Sequence, residues 1–99
     1  MDTLLNPTII VEVLSESTEA YDRGLKFEQY RKLESLSEYL LVAQDKYHIE
    51  HYVRQSDNRW LLSETGDVQS TVQFSAIDAH LSLTDLYDKV ELSRRQNLR

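Results

Sequence analysis

The chain has 99 residues, a length that suits one domain burying roughly 60–65% of its unfolded surface. Its content of 40% hydrophobic and 28% charged residues is that of a globular protein and excludes the fibrous and disordered classes. The net charge of −6 opposes binding to nucleic acids and anionic membranes. The absence of cysteine excludes a disulfide framework and a thiolate metal site.

The sequence contains no stretch that resembles a membrane or export segment. Glu12 interrupts the apolar run near the N-terminus, and no basic region precedes that run, so we expect no signal peptide. No run approaches the roughly 20 apolar residues that span a bilayer. We therefore predict a cytoplasmic protein.

Apolar patterning predicts a strand followed by a long helix. Residues 8–14 are almost all β-formers, and Ser17 provides an N-cap for a helix over residues 18–33. Gly24 lies inside this helix, which suggests close backbone packing there. Further strands are predicted at residues 38–43, 47–54 and 59–65, weaker ones at 68–74 and 77–81, and a short helix up to residue 90. These elements predict the α/β class, with a mixed β-sheet and one long helix on one face.

One acidic residue stands out in the first strand. Glu12 lies among β-formers, where a desolvated carboxylate without a partner costs several kcal/mol. The period of the helix places Lys26 on one side together with Asp22 and Tyr30, so Lys26 can return toward Glu12. The residues alone leave two interpretations open, a structural ion pair and a catalytic pair.

Other polar residues are weaker candidates for a site. Asp22 is interpreted as a residue that complements the helix dipole rather than as a third ligand. His48 and His51 are three positions apart on a strand, which sends their side chains to opposite faces and disfavours a shared metal. The polar, basic tail at 93–99 is interpreted as a solvated terminus.

Several spaced motifs resemble the Uma-two family of restriction endonucleases, in the PD-(D/E)XK nuclease superfamily. They comprise Asn6–Ser15, Ser17–Gly24, Lys26, Tyr30 and Ser37–Val42. The resemblance implies a restriction-endonuclease-like core with Glu12 as a catalytic residue and Mg²⁺ ligand. It also implies that Lys26 is the catalytic lysine, moved onto the helix from position 14, where this chain has Leu14.

Two departures from the family pattern bear on activity. Glu16 replaces the proline that usually follows the strand serine. The first catalytic aspartate of the family lies on an upstream strand, and nothing around Asp2 resembles it. We therefore expect residues 1–92 to form a single truncated nuclease-like domain that lacks the family's N-terminal part.

The combined prediction is a Mg²⁺-dependent DNA endonuclease-like domain that is catalytically incomplete and binds Mg²⁺ weakly or not at all. Two alternatives remain: a non-catalytic module for self-association or protein interaction, and an active nuclease whose site is completed across a dimer. A strand edge left unpaired favours a homodimer or larger homo-oligomer. DNA is a partner through the family resemblance, and a membrane is not expected.

Overall fold

The computed structural model describes residues 7–15 and 17–89, and shows a four-stranded sheet, a two-stranded sheet, two longer helical segments and one turn of 3₁₀ helix at Ser75–Ile77. The first helical segment, α1, is α-helical at Glu19–Tyr21, π-helical at Asp22–Lys26 and α-helical at Phe27–Tyr30. The second, α2, covers residues 83–89. The strands are β1 Ile9–Val13, β2 Glu38–Val42, β3 Ile49–Arg54, β4 Trp60–Thr65, β5 Thr71–Phe74 and β6 Ala79–Ser82.

The larger sheet has the strand order β1-β2-β3-β4. β1 is parallel to β2, because α1 carries the chain back to the end of the sheet at which β1 begins. β3 is antiparallel to both of its neighbours, β2 and β4. Within the described ranges β1 and β4 are therefore the two edge strands. One cross-strand row contains Glu12, Leu41, Glu50 and Glu64 in that order.

The central strand β2 is buried along its whole length because both faces of the sheet are covered. On one face α1 inserts Phe27 against Tyr39 of β2, with ring centroids 4.7 Å apart in a stacked arrangement. The other face packs Leu40 and Val42 against Phe74 and Leu83 from the smaller sheet and α2. Glu12 lies on the α1 face, since its register partner Leu41 belongs to the core beneath α1.

The structure confirms the predicted mixed α/β architecture and shifts several boundaries. The helical segment after β1 ends at Tyr30, before the predicted residue 33, and its middle is π-helical. Gly24 was wrongly interpreted as a close-packing position, because a Cβ atom there would meet nothing within 4 Å.

The predicted tail at 93–99 lies outside the described residues, and the domain limits remain predictions. Neither helical segment in the described part is long and apolar enough to cross a bilayer.

Candidate functional site

Glu12 and Lys26 form the centre of the candidate site. Lys26 Nζ lies 2.8 Å from Glu12 Oε2, which confirms the predicted proximity of the two residues. Their side chains are only 21% and 28% exposed, so the pair is partly shielded but remains open to small solutes. The hydrogen bond to Glu12 is the main cause that raises the pKa of Lys26, and it outweighs the lowering effect of burial. Lys26 is therefore a cation at neutral pH, suited to binding an anion and unsuited to acting as a base.

Asp22 is a second carboxylate beside the same lysine. Its Oδ1 atom lies 3.6 Å from Lys26 Nζ, one turn earlier on α1, and the residue is only 2% exposed. Asp22 lies near the start of α1, so its interpretation as a residue that complements the helix dipole stays a prediction, and the contact of its buried side chain with Lys26 is an additional feature. Lys26 thus lies between two carboxylates from different elements, which restricts where its ammonium group can move.

Two tyrosines support these charged groups. The Tyr30 hydroxyl donates a hydrogen bond of 3.0 Å to Glu12 Oε2, the same atom that binds Lys26. The Tyr39 hydroxyl donates to the backbone oxygen of Asp22, and burial raises the pKa of Tyr39 above its usual range. Tyr30 also packs edge-on against Tyr39, with ring centroids 5.5 Å apart. The sequence pattern alone does not predict the hydrogen bonds of these two tyrosines.

A second ion pair joins the same helical segment to the sheet. Arg23 Nε donates to both carboxylate oxygens of Glu50, at 3.0 and 3.1 Å, and its NH2 group donates to Glu50 as well. Glu19, one turn earlier, accepts a further hydrogen bond from Arg23. The hydrogen bonds from Arg23 lower the pKa of Glu50, despite burial that acts in the opposite direction. Sequence reasoning did not find this pair, although Glu50 falls on the same face of the sheet as Glu12.

His48 and His51 do not share a site. His51 Nε2 lies 2.6 Å from the buried carboxylate of Glu38, whose other oxygen accepts a hydrogen bond from the backbone N–H of Ala76. His48 lies on the opposite side of β3, near Glu50 and Glu64. The ligand atoms of His48, Glu50 and Glu64 lie within 4.8 Å of one another. Arg23 already engages Glu50 in this group, and its positive charge opposes a bound cation.

The residues near Glu12 fit only part of a Mg²⁺ site. Mg²⁺ requires near-octahedral oxygen coordination, supplied by carboxylates, water and substrate phosphates. Here the Oε2 atom of Glu12 is engaged by Lys26 and Tyr30. In the described part of the chain, Asp22 is the other carboxylate that contacts Lys26, and it lies beneath the lysine. This donor set does not by itself fit a tightly held Mg²⁺ ion.

A cleft of about 330 Å³ opens beside Arg23 rather than beside Lys26. Its lining includes Leu14, Glu19 and His48, together with the loop at residues 43–46, and includes neither Glu12 nor Lys26. The position of this cleft therefore does not mark the Glu12–Lys26 pair. The pair stands out because its two opposite charges are in contact, and not because it lines a cavity.

Comparisons with known proteins agree with this architecture. Residues 2–84 match the model of the Uma2 family, named Uma-two above, which is described as "Putative restriction endonuclease". The chain is 43% identical over 70 residues to the Synechocystis protein sll1609, and 48% identical over 56 residues to slr1290 of the same organism. These matches cover 71% and 57% of this chain, but only 40% and 30% of the relatives.

A solved structure shows the same fold. It is described as a putative nuclease belonging to DUF820 from Anabaena variabilis, and superimposes with a TM-score of 0.67 at 17% identity. The likeness covers 88% of this chain and 47% of that one, so this chain spans less than half of each of the three similar proteins. The fold is restriction-endonuclease-like, as the sequence motifs predicted. Since the family model matches most of its length, the chain belongs to the Uma2 family.

Proposed function

We propose that this chain carries the Glu12–Lys26 half of a Mg²⁺-dependent DNA endonuclease site and does not cleave DNA by itself. The observation that carries the proposal is the 2.8 Å contact between Lys26 Nζ and Glu12 Oε2. A strand carboxylate and a helix lysine meet on one face of a nuclease-like sheet, within a family described as restriction endonucleases. DNA as substrate and Mg²⁺ as cofactor come from that family membership.

Lys26 would bind a phosphate oxygen and stabilise the negative charge that develops on it. Its raised pKa keeps the ammonium group protonated at neutral pH, and a fixed cation in a partly shielded site stabilises such charge better than one in bulk water. Asp22 and Tyr30 keep the pair in place through contacts to Lys26 and Glu12.

Glu12 would contribute one ligand to a divalent ion but cannot hold that ion alone. A bound divalent metal supplies hydroxide at neutral pH and neutralises phosphate charge. A further carboxylate has to reach Glu12 from outside the described residues before an ion can be fixed there. We therefore propose that Mg²⁺ binds this chain weakly or not at all, and that the net charge of −6 further weakens DNA capture.

A cleavage assay tests this proposal. Purified chain is incubated with supercoiled plasmid and Mg²⁺ or Mn²⁺, beside the Glu12→Gln and Lys26→Ala variants. Glu28→Gln on the exposed side of α1 and Lys32→Ala in the exposed turn after it serve as charge-matched controls. We expect intact plasmid in every sample. Cleavage by the native chain that both site variants abolish, and both controls retain, would contradict the proposal.

DNA binding provides a separate test of the half-site. At low salt we expect Lys26→Ala to weaken binding of a fluorescent duplex more than Lys32→Ala does, although both remove one positive charge. Equal losses of DNA affinity in the two variants would show that only the net charge of the protein matters, because each variant changes that net charge by the same amount.

Self-association is a second candidate function, favoured by the exposed apolar side chains of the edge strand β1, Val11 and Val13. Such a surface fits a non-catalytic interaction module, and it also fits a nuclease that completes its site across a homodimer.

A cytoplasmic location is part of the proposal and is supported by the absence of cysteine.

A further inference from the structure

His48, Glu50 and Glu64 place three metal-ligating side chains on the α1 face of the sheet, apart from the Glu12–Lys26 pair. Glu50 and Glu64 are register partners on β3 and β4, and His48 precedes Glu50 by two residues, so all three side chains project from one face. His48 Nε2 lies 3.2 Å from Glu64 Oε1 and 3.8 Å from Glu50 Oε2. One ligand atom from each residue lies within 4.8 Å of the other two.

These separations resemble those between ligands around a single metal ion. Zinc bonds of about 2.0–2.2 Å in a tetrahedral arrangement place neighbouring ligand atoms roughly 3.3–3.6 Å apart. The 3.8 Å separation between His48 and Glu50 is too long for a hydrogen bond, whereas an ion between the two atoms would contact both. The Glu64 side chain is 55% exposed, so its rotation can close the remaining gap.

The two carboxylates lie opposite each other on neighbouring strands, which favours a cation between them. Like charges in that position destabilise a sheet. The hydrogen bonds from Arg23 hold the pKa of Glu50 below its usual value, so Glu50 is ionised at neutral pH. Within the described part of the chain, His48 is the basic side chain in contact with Glu64, and a metal-ligating imidazole is neutral. A bound cation would therefore remove a repulsion that His48 alone leaves in place.

Arg23 is the group that acts against a cation here, and Glu19 offsets it. Arg23 donates to Glu50 and also to Glu19, one turn earlier on α1. With a neutral imidazole, one guanidinium and the three carboxylates of this network leave a local charge of −2, which a divalent ion balances. Ligating carboxylates in metal sites are themselves hydrogen-bonded, which fixes their orientation. Arg23 can therefore orient Glu50 toward the ion.

His48 is held in place and is also accessible. Its backbone N–H donates to the Tyr87 hydroxyl at 3.0 Å, and that hydroxyl donates to the His48 carbonyl oxygen. The side chain lines the cleft of about 330 Å³ beside Arg23, through which an ion and its water molecules can enter. Three protein ligands leave a coordination position for water, as in catalytic zinc sites, whereas structural zinc sites use four protein ligands.

We propose that His48, Glu50 and Glu64 bind a first-row transition-metal ion, with Zn²⁺ as the ion that fits best. One imidazole nitrogen and two carboxylate oxygens suit Zn²⁺, while Mg²⁺ prefers an octahedron of oxygen ligands. The site is separate from the half-site and does not depend on the proposed nuclease function. The ion joins β3 to β4 and, through the contact of Arg23 with Glu50, supports the packing of α1 on the sheet.

Calorimetric titration of the untagged protein with Zn²⁺ tests this site. We expect one ion per chain, with a dissociation constant in the micromolar range. His48→Ala and Glu64→Gln should each weaken binding at least about 10-fold, since losing even an outer-shell partner of a ligand has an effect of that size. His80→Ala and Glu28→Gln, at exposed positions outside the cluster, should bind Zn²⁺ as the native chain does. Glu12→Gln should do the same, because the half-site does not contribute a ligand.

Thermal unfolding provides a second measurement. Zn²⁺ should raise the unfolding midpoint of the native chain because it binds the folded state, and this rise should disappear in His48→Ala and Glu64→Gln. Circular dichroism checks that each variant folds. A native chain that does not bind Zn²⁺ would overturn the proposal. So would binding that both site variants retain, binding that Glu12→Gln abolishes, or binding that only His48→Ala weakens, since a single surface histidine holds an adventitious ion only.

Discussion

Two ion pairs connect α1 to the same row of the sheet, and they differ in almost every physical respect. Glu12 lies on the edge strand and meets Lys26 through a single contact. Glu50 lies two strands away across Leu41, on the interior strand β3, and meets Arg23 through several hydrogen bonds. The side chain of Glu50 is 9% exposed, against 21% for Glu12.

The difference separates a structural pair from a candidate for chemistry. Arginine presents a planar fork that matches a carboxylate and stays charged, whereas lysine is a mobile point charge with donors left over. Arg23 is therefore suited to holding α1 on the sheet. Lys26 can keep Glu12 while offering another N–H to an anion, which suits a site that must bind and release a ligand.

The largest expected effect comes from breaking the Arg23–Glu50 pair. Glu50→Gln should lower the free energy of unfolding by about 2–3 kcal/mol. This is less than the roughly 3–5 kcal/mol for a fully buried pair, because the Arg23 side chain is one-third exposed. Urea denaturation measures the change, with Glu64→Gln on the exposed neighbour as the control. If Glu50→Gln lowered the free energy of unfolding no more than Glu64→Gln does, the Arg23–Glu50 pair would have no structural role.

Acid should weaken the native fold partly through Glu50. Its folded-state pKa lies below the unfolded value of 4.5, so its stabilising effect is complete above that value and is lost as pH falls through the folded-state pKa. Urea midpoints measured from pH 6 downward should fall less steeply for Glu50→Gln than for the native chain. Parallel curves would show that other groups account for the acid sensitivity.

Exchanging the cations sharpens the contrast between the pairs. Arg23→Lys should cost about 1 kcal/mol, because a single ammonium cannot replace the fork at Glu50. Lys26→Arg should change stability by less than about 0.5 kcal/mol, since a single contact to a partly exposed carboxylate is easily remade. Thermal or urea unfolding of both variants provides the comparison. Equal costs would mean that the two pairs are alike.

Removing the charge of Lys26 should lower stability less than breaking the Arg23–Glu50 pair does. Lys26→Met keeps the apolar stem and should cost at most about 0.5–1 kcal/mol near neutral pH. The folded-state pKa of Lys26 is raised, so its contribution is present below the unfolded value of 10.5 and disappears as pH rises through the folded-state pKa. The native and variant stabilities should therefore converge in alkali. A difference that persists there would point to lost packing instead.

Much of the fold could be predicted from local sequence patterns, because short apolar runs encode the strands and the helix that connects β1 to β2. The Glu12–Lys26 contact was also predictable, since strand alternation and helix period each place one charge on a known side. The Arg23–Glu50 pair depends on the register of β3 beside β2, which no local pattern specifies. The burial of Asp22 was missed because Asp22 lies in the π-helical stretch of α1, which the regular helix period used for the sequence does not describe.

Calorimetric titration of Mg²⁺ and Mn²⁺ tests the half-site most directly. The native chain should bind either ion with a dissociation constant in the millimolar range or weaker, because the second carboxylate that contacts Lys26 in the described residues, Asp22, is buried and leaves Glu12 as the ligand at this site. Glu12→Gln should remove the residual heat, while Glu28→Gln on the exposed side of α1 should retain it. A micromolar site in the native chain that Glu12→Gln abolishes would contradict the account, since it would require ligands that a half-site does not have.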